Sequence, residues 1–245
     1  MIEITDLTVR FGGVTPLDGM TVTFDSGTCG LIGPNGAGKT TFFNVLSGFV
    51  RPAHGGVVAF GDDLLAMPHY KRARWGLRRT FQTEQAIEEL SVADNVALAL
   101  EHSRRGGRVS RRADVLDALE FVGLEAAPGE KVATLGARER RLVEIARAVV
   151  GRPRVVLLDE PAAGLPDEET EHLGRVIRGI PEYTGALAVL VDHDMGLVLS
   201  VCETIHVLEF GRLLSSGTPA EIAADAAVIG AYLGAEHAEP VEVFE

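Results

Sequence analysis

A glycine-rich segment after a short apolar run constrains this chain more than any other feature. It follows the pattern G-x-x-x-x-G-K-[ST], in which glycines let the backbone curl around phosphates and turn several N–H groups inward. A helical run comes next, and the N-terminus of a helix favours anions. The segment predicts a site for a nucleoside triphosphate. Its residues are Gly33, Pro34, Asn35, Gly36, Ala37, Gly38, Lys39, Thr40 and Thr41.

Lys39 and Thr40 supply the polar side chains that such a loop requires. The lysine ammonium can reach the β- and γ-phosphates, and the threonine hydroxyl can ligate Mg²⁺. We therefore expect the triphosphate to bind together with Mg²⁺.

Composition and charge exclude several classes of protein. The chain has 245 residues, of which 46% are hydrophobic and 24% are charged, so it can bury a sizeable core. A net charge of −12 argues against a nucleic-acid surface. Apolar runs are shorter than the roughly 18 residues of a membrane span, the first residues lack the pattern of a signal peptide, and two cysteines are too few for a disulfide framework. We expect a cytoplasmic protein without direct membrane insertion.

The order of the predicted elements indicates an α/β fold. Strand-like alternation dominates the first part of the chain, helical spacing dominates about 90–150, and strands and helices alternate afterwards. We expect a single domain over residues 1–245, with a helical subdomain inserted at about 83–150 and a short acidic tail at 235–245. Two basic segments have ordinary interpretations, a flexible link at 104–112 and a solvated helix at 70–79, although the second could face a membrane partner.

A second motif is an apolar strand that ends in the carboxylates Asp159 and Glu160. In phosphate-loop enzymes, a carboxylate at a strand end beside the loop holds Mg²⁺, and Asp159 fits this role. Glu160 points elsewhere and can polarise an attacking water as a general base.

Together these residues resemble the ATP-binding-cassette (ABC) ATPases. Residues 33–41 are similar to the Walker A motif of that family, and residues 157–161 are similar to its Walker B motif with a catalytic glutamate. The resemblance implies that Gln82 contacts Mg²⁺ and the attacking water, that His193 contacts the γ-phosphate, and that Phe11 stacks on adenine. It also implies the ABC-type P-loop NTPase fold, with a parallel-sheet core, an N-terminal antiparallel β subdomain and an inserted helical subdomain.

Within the family, the chain resembles the ATPase subunits of importers for branched-chain amino acids, urea or amides. The motifs that carry this resemblance are RFGG at 10–13, RTFQ at 79–82, DEPAAGL at 159–165, VDHDM at 191–195, SGTP at 216–219 and AYLG at 231–234. The resemblance implies ATP hydrolysis that is coupled to transport, and integral-membrane permease subunits as partners. It places the chain at the inner face of the cell membrane through those partners.

The signature motif departs from the family pattern L-S-G-G-Q. Gly136 takes the place of the serine and Arg138 that of the second glycine, with Ala137 between them and Glu139 after them. A hydroxyl donor to the γ-phosphate is therefore missing, and bulk is added where the backbone would approach it. A second departure is Pro166, where the family has aspartate or asparagine.

The altered signature has a consequence for assembly. In this family two chains enclose two ATP molecules, and each site combines the Walker motifs of one chain with the signature of the other. The resemblance therefore implies a second, different ATPase as partner, so that a heterodimer is favoured over a homodimer. The main alternative is a cytosolic ABC ATPase that acts as an assembly or regulatory factor without a permease. A degenerate ATP-binding scaffold is a weaker alternative, because Glu160 and His193 are both present.

Overall fold

The computed structural model describes residues 1–101, 108–124 and 127–236. Its strands are β1 Ile2–Phe11, β2 Val14–Phe24, β3 Thr28–Ile32, β4 His54–Ala59, β5 Asp62–Asp63, β6 Leu77–Arg79, β7 Val155–Asp159, β8 Leu187–Val191, β9 Thr204–Glu209 and β10 Arg212–Gly217. Its helices are α1 Lys39–Ser47, α2 His69–Trp75, α3 Val92–Leu100, α4 Arg108–Val122, α5 Ala137–Val149, α6 Asp167–Thr184, α7 Met195–Val201, α8 Pro219–Ala224 and α9 Ala226–Glu236. A short 3-10 helix covers Val132–Thr134.

Two sheets organise the fold. The larger has the strand order β10-β9-β3-β8-β7-β6, with parallel pairs throughout except for the antiparallel hairpin β9–β10. The smaller has the order β2-β1-β4-β5 and is antiparallel. This arrangement confirms the predicted α/β fold, with its parallel-sheet core and its N-terminal antiparallel sheet.

Both faces of the larger sheet are covered, which explains the continuous apolar runs of its central strands. Every residue of β3, β7 and β8 is buried. Along β7, Val155 and Leu157 belong to a core shared with α1 and the antiparallel sheet, whereas Val156 and Leu158 belong to a core shared with α3 to α7. This alternation follows the two-residue period of a strand, and it places α1 between the two sheets.

The segment between β6 and β7 is helical, with α3, α4 and α5 packed against one another around Val96, Leu119 and Ile145. That residues 83–150 form an inserted subdomain stays a prediction. The predicted link at 104–112 lies outside the described residues as far as 107, and Arg108 already belongs to α4. The predicted acidic tail lies outside them from residue 237 onward.

The prediction of a solvated helix at 70–79 is wrong in two respects. The helix α2 ends at Trp75, and strand β6 follows it. Arg72 is also buried, because its guanidinium donates hydrogen bonds to the backbone carbonyls of Val45 and Leu46 in the last turn of α1. Within the described ranges, the longest helices are too polar or too short to cross a bilayer.

Candidate nucleotide site

The predicted phosphate loop connects β3 to α1. Gly33 and Gly38 adopt φ angles of +151° and +108°, which residues other than glycine rarely adopt. A Cβ atom at Gly33 would clash with the carbonyl of Leu208, and one at Gly38 would clash with the carbonyl of Pro16. The outer side of the loop is therefore tightly enclosed by its neighbours, and only glycine fits at these two positions.

Lys39 begins α1 and turns its side chain back over the loop. Its Nζ atom donates hydrogen bonds to the carbonyls of Gly33 at 2.6 Å and Pro34 at 3.1 Å. Burial lowers the pKa of Lys39, while the negative charges of Glu160 and Asp159 act in the opposite direction. The carboxylates of Asp159 and Glu160 therefore lie close enough to Lys39 to favour its charged form.

Asp159 is the last residue of β7, and its carboxylate is buried in an ion pair. Its Oδ2 accepts a hydrogen bond from Arg79 Nη2 at 2.7 Å, and each side chain is 6% exposed. The backbone N–H of Asp159 donates to the hydroxyl of Thr80 at 3.1 Å. The last residue of β6 and the residue after it therefore fix the side chain and the backbone of this predicted magnesium ligand.

The three predicted catalytic residues lie together. The amide Nε2 of Gln82 donates a hydrogen bond to Glu160 Oε2 at 2.9 Å, and Nδ1 of His193 lies 4.0 Å from the same oxygen. The Glu160 side chain is 24% exposed and that of His193 is 70% exposed, so the carboxylate is partly buried and the imidazole is accessible to solvent. Glu160 also adopts a positive φ of +46°.

Asp192 is a functional candidate that sequence reasoning did not single out. Its buried carboxylate accepts hydrogen bonds from the backbone N–H groups of Ala162, at 3.3 Å, and Asp194, at 3.0 Å. Burial raises the pKa of Asp192, although these backbone donors and His193 oppose that effect. This residue ties the segment after Glu160 to the segment that carries His193. Its position at the end of an apolar strand was the signal available in the sequence.

The altered signature begins α5, and its polar contacts within the described ranges are local. Arg138 Nη2 donates to Glu139 Oε1 at 2.9 Å. A Cβ atom at Gly136 would lie 2.6 Å from Glu139 Oε2, so the carboxylate lies where a serine side chain would begin. The signature residues therefore do not join Gln82, Glu160 and His193 in this chain.

Phe11 lies at the end of β1, 53% exposed and paired with Val14 of β2. The hairpin that carries it continues to Pro16, whose carbonyl approaches Gly38. The ring is thus accessible on a hairpin that flanks the phosphate loop, as stacking on a base requires.

The residues present fit a nucleoside triphosphate with magnesium. The glycine positions leave the loop backbone free to approach phosphates, and the exposed Thr40 hydroxyl lies one residue after Lys39. Thr40, Gln82 and Asp159 offer a hydroxyl, an amide and a carboxylate oxygen, which are hard ligands that Mg²⁺ prefers.

Two family profiles match parts of the chain. A family profile described as ABC transporter matches residues 17–163, more than half of the chain. A second profile, described as branched-chain amino acid ATP-binding cassette transporter, matches residues 212–238.

Individual proteins extend the similarity to the whole chain. The high-affinity branched-chain amino acid transport ATP-binding protein BraF of Pseudomonas aeruginosa is 36% identical over 96% of this chain and 98% of its own. The lipopolysaccharide export system ATP-binding protein LptB of Acidithiobacillus ferridurans is 38% identical over 84% of each chain. The crystal structure of an ATP-binding cassette of an ABC transporter in its ADP conformation has the same fold, with a TM-score of 0.82 at 24% identity over 96% of this chain and 98% of the other. The chain belongs to the ATP-binding-cassette transporter family and is one of its ATPases.

Proposed function

We propose that this ATPase drives an importer for branched-chain amino acids, or for related small polar solutes such as urea or amides. The observation that carries ATP hydrolysis is the position of the Glu160 carboxylate, between the Gln82 amide at 2.9 Å and the His193 imidazole at 4.0 Å. The chain works at the inner face of the cell membrane, attached through integral-membrane permease subunits.

The arrangement supports in-line attack of water on the γ-phosphate of ATP. Glu160 accepts the proton of the attacking water as general base, and Gln82 holds that carboxylate in place. Lys39 exchanges its two loop carbonyls for phosphate oxygens, and His193 contacts the γ-phosphate from the exposed side. Thr40, Gln82 and Asp159 would hold Mg²⁺, which neutralises charge on the phosphates when it is bound.

The C-terminal segment supports an importer of the branched-chain type. The profile that matches residues 212–238 carries that description, and BraF, named for the same transport, aligns with 96% of the chain. LptB, named for lipopolysaccharide export, aligns with only 84% despite its higher identity. The extent of the alignment therefore favours the branched-chain relatives.

A second, different ATPase completes the proposed motor. In the family arrangement, the signature of this chain would serve the nucleotide of its partner. That signature lacks the serine hydroxyl at Gly136 and has a carboxylate, Glu139, at the place where that side chain would begin. The Walker site of this chain hydrolyses ATP against an intact signature of the partner, and the opposite site mainly retains its nucleotide.

The test is to isolate the closed complex from the native cell. A tagged Glu160→Gln variant, which binds ATP without the general base, is purified with MgATP, and the proteins that accompany it are identified by mass spectrometry. We expect two kinds of partner, permease subunits and a second ATPase with an L-S-G-G-Q-type signature.

The matched control is Glu160→Gln combined with Lys39→Ala, which removes the phosphate-binding ammonium. Partners that require the ATP-closed state should be lost with the control. Recovery of the chain alone, or of soluble proteins only, would contradict the importer and favour a cytosolic assembly or regulatory factor.

A further inference from the structure

Two buried arginines, Arg72 and Arg79, contact the helix that follows the phosphate loop. Among the described residues, Arg72 donates hydrogen bonds to backbone carbonyls, those of Val45, Leu46 and Met67. Arg79 reaches side chains instead, and one of them is Asp159. The two residues thus contact the same helix, α1, but only Arg79 also contacts a predicted magnesium ligand.

The guanidinium of Arg79 joins three parts of the site. Besides Asp159 Oδ2 at 2.7 Å, its Nη1 atom donates to Asn44 Oδ1 at 2.8 Å and to Ser47 Oγ at 3.3 Å, both on α1. It also lies between two aromatic rings, with its Cζ atom 5.4 Å from the centroid of Phe43 and 5.0 Å from that of Phe81. These contacts leave the guanidinium little freedom to turn.

The position of Arg79 in β6 links it to Gln82 as well. Arg79 is the last residue of β6, and Gln82 follows three residues later. Between them, the hydroxyl of Thr80 accepts a hydrogen bond from the backbone N–H of Asp159. The segment at the end of β6 therefore contacts Asp159 twice, through the side chain of Arg79 and through the hydroxyl of Thr80.

A buried carboxylate without its cation would be both costly and free to rotate. Removing one partner of a buried ion pair leaves an uncompensated charge, and a charge-assisted hydrogen bond fixes direction as well as energy. With Oδ2 held by Arg79, the Asp159 carboxylate keeps one orientation relative to α1, which carries Thr40.

We propose that Arg79 is a positioning residue for the magnesium site, fastening the Asp159 carboxylate to α1 so that it can accept the metal. The inference rests on the proposed role of Asp159 as a magnesium ligand. Arg79 touches neither the nucleotide nor the attacking water in this account, and it acts only through Asp159.

The test measures how much Mg²⁺ strengthens the binding of ATP to the protein. In the Glu160→Gln background, which does not hydrolyse ATP, the Kd of ATP is measured by calorimetry, once with EDTA and once with Mg²⁺. The Kd in EDTA divided by the Kd in Mg²⁺ is the ratio that reports how much the metal strengthens ATP binding. We expect Arg79→Gln to reduce this ratio about tenfold or more, while the Kd in EDTA stays within about twofold. Arg79→Lys keeps a cation and should recover part of the ratio.

Arg72→Gln is the matched control, since it removes a buried guanidinium that also contacts α1 but does not contact Asp159. It should lower the melting temperature and leave the ratio unchanged. An unchanged ratio in Arg79→Gln would overturn the inference and leave Arg79 a purely structural residue. A larger ratio would overturn it too, since Arg79 would then compete with the metal rather than position its ligand.

Asp159→Asn separates this inference from the proposed function. If that variant leaves the ratio unchanged, the magnesium role of Asp159 itself is wrong. If it abolishes the coupling while Arg79→Gln does not, only the role of Arg79 is wrong.

Discussion

Gly36 and Gly38 lie two residues apart in the phosphate loop, yet their surroundings differ. Both have a positive φ, +79° and +108°, so an alanine at either is strained, by about 1–2 kcal/mol. At Gly38 the new Cβ would also clash with the Pro16 carbonyl, whereas at Gly36 it meets open space. We expect Gly38→Ala to weaken ATP binding at least about tenfold more than Gly36→Ala and to lower the melting temperature further. Equal effects would mean that φ alone matters in this loop.

Glu139 shows how a single side chain can alter a helix N-terminus. Its carboxylate lies 2.6 Å from the position of a Cβ atom at Gly136 and is paired with Arg138. Burial raises the pKa of Glu139, but its own backbone N–H, Arg138 and the Gly136 N–H lower it by more. An anionic group thus already lies where a helix N-terminus would otherwise attract a phosphate.

Replacing Glu139 should therefore change the way in which this chain associates with itself. In the Glu160→Gln background with MgATP, we expect the chain alone to sediment as a monomer. Glu139→Gln removes the charge and keeps the shape of the side chain. It should increase self-association about tenfold or more, because the Glu139 carboxylate and the phosphates of the nucleotide bound to the second chain carry like charges, which repel at an interface. Sedimentation velocity measures this.

Glu221→Gln is the matched control for Glu139→Gln, since Glu221 also lies at the third position of a helix, in the capping box of Thr218. Identical sedimentation of the two variants would show that the Glu139 charge does not limit the interface.

At the scale of the element, periodicity and motifs in the sequence predicted the strands that have a local pattern. They did not predict the strand residues that depend on contacts with distant parts of the chain. The apolar strand predicted before Glu160 is β7, since a strand covered on both faces is a continuous apolar run. The strand β2 runs from Val14 through Pro16 to Phe24, because it pairs with β1 and because the N–H of Asp18 donates to the carbonyl of Gly211, and neither contact has a local signal in the sequence.

The candidate site likewise contains one contact that was predicted and one that was not. The resemblance to ABC ATPases implied that Glu160 and Gln82 belong to one site, and they do lie in contact. It did not predict the pair between Arg79 and Asp159, because an arginine before a loop has no local signal for a partner 80 residues away.

The contact between α4 and α6 permits a prediction about elements. The rings of Tyr183 and Phe121 stack at 4.2 Å, and the Tyr183 hydroxyl donates a hydrogen bond to Asp117 at 2.7 Å. Tyr183→Phe keeps the stacking and removes only that bond, so we expect it to lower the free energy of unfolding by about 1 kcal/mol in urea titrations. Tyr70→Phe, at a half-exposed ring on α2, should change it little. Equal losses in the two variants would mean that the hydroxyl bond does not hold α4 to α6.

At the scale of the whole molecule, the phosphate loop is held where the two sheets meet. Gly211, in the turn between β9 and β10, donates to the carbonyl of Ala37, and its own carbonyl accepts from Asp18 of β2. A buried histidine lies in the same layer. His206 of β9 contacts Phe24 of β2 with ring centroids 4.6 Å apart. The packing between the sheets therefore contains a group that titrates.

Acid should weaken this packing through His206. Its ring is 3% exposed, with Nδ1 at 2.8 Å from the Ser216 hydroxyl. Burial lowers the pKa of His206 to about 4, against a small opposing effect of Asp25. Because the folded-state pKa lies below the unfolded value of about 6.5, the unfolded chain binds the proton first. Stability is therefore complete above about pH 6.5 and falls as the pH drops toward 4.

Between pH 7 and pH 5 this single group should cost about 2 kcal/mol of unfolding free energy. Urea titrations at the two pH values measure the loss, and His206→Gln should remove most of it, since glutamine does not titrate. If His206→Gln and the unaltered chain lost the same free energy, the acid sensitivity would reside in the carboxylates rather than in the layer between the sheets.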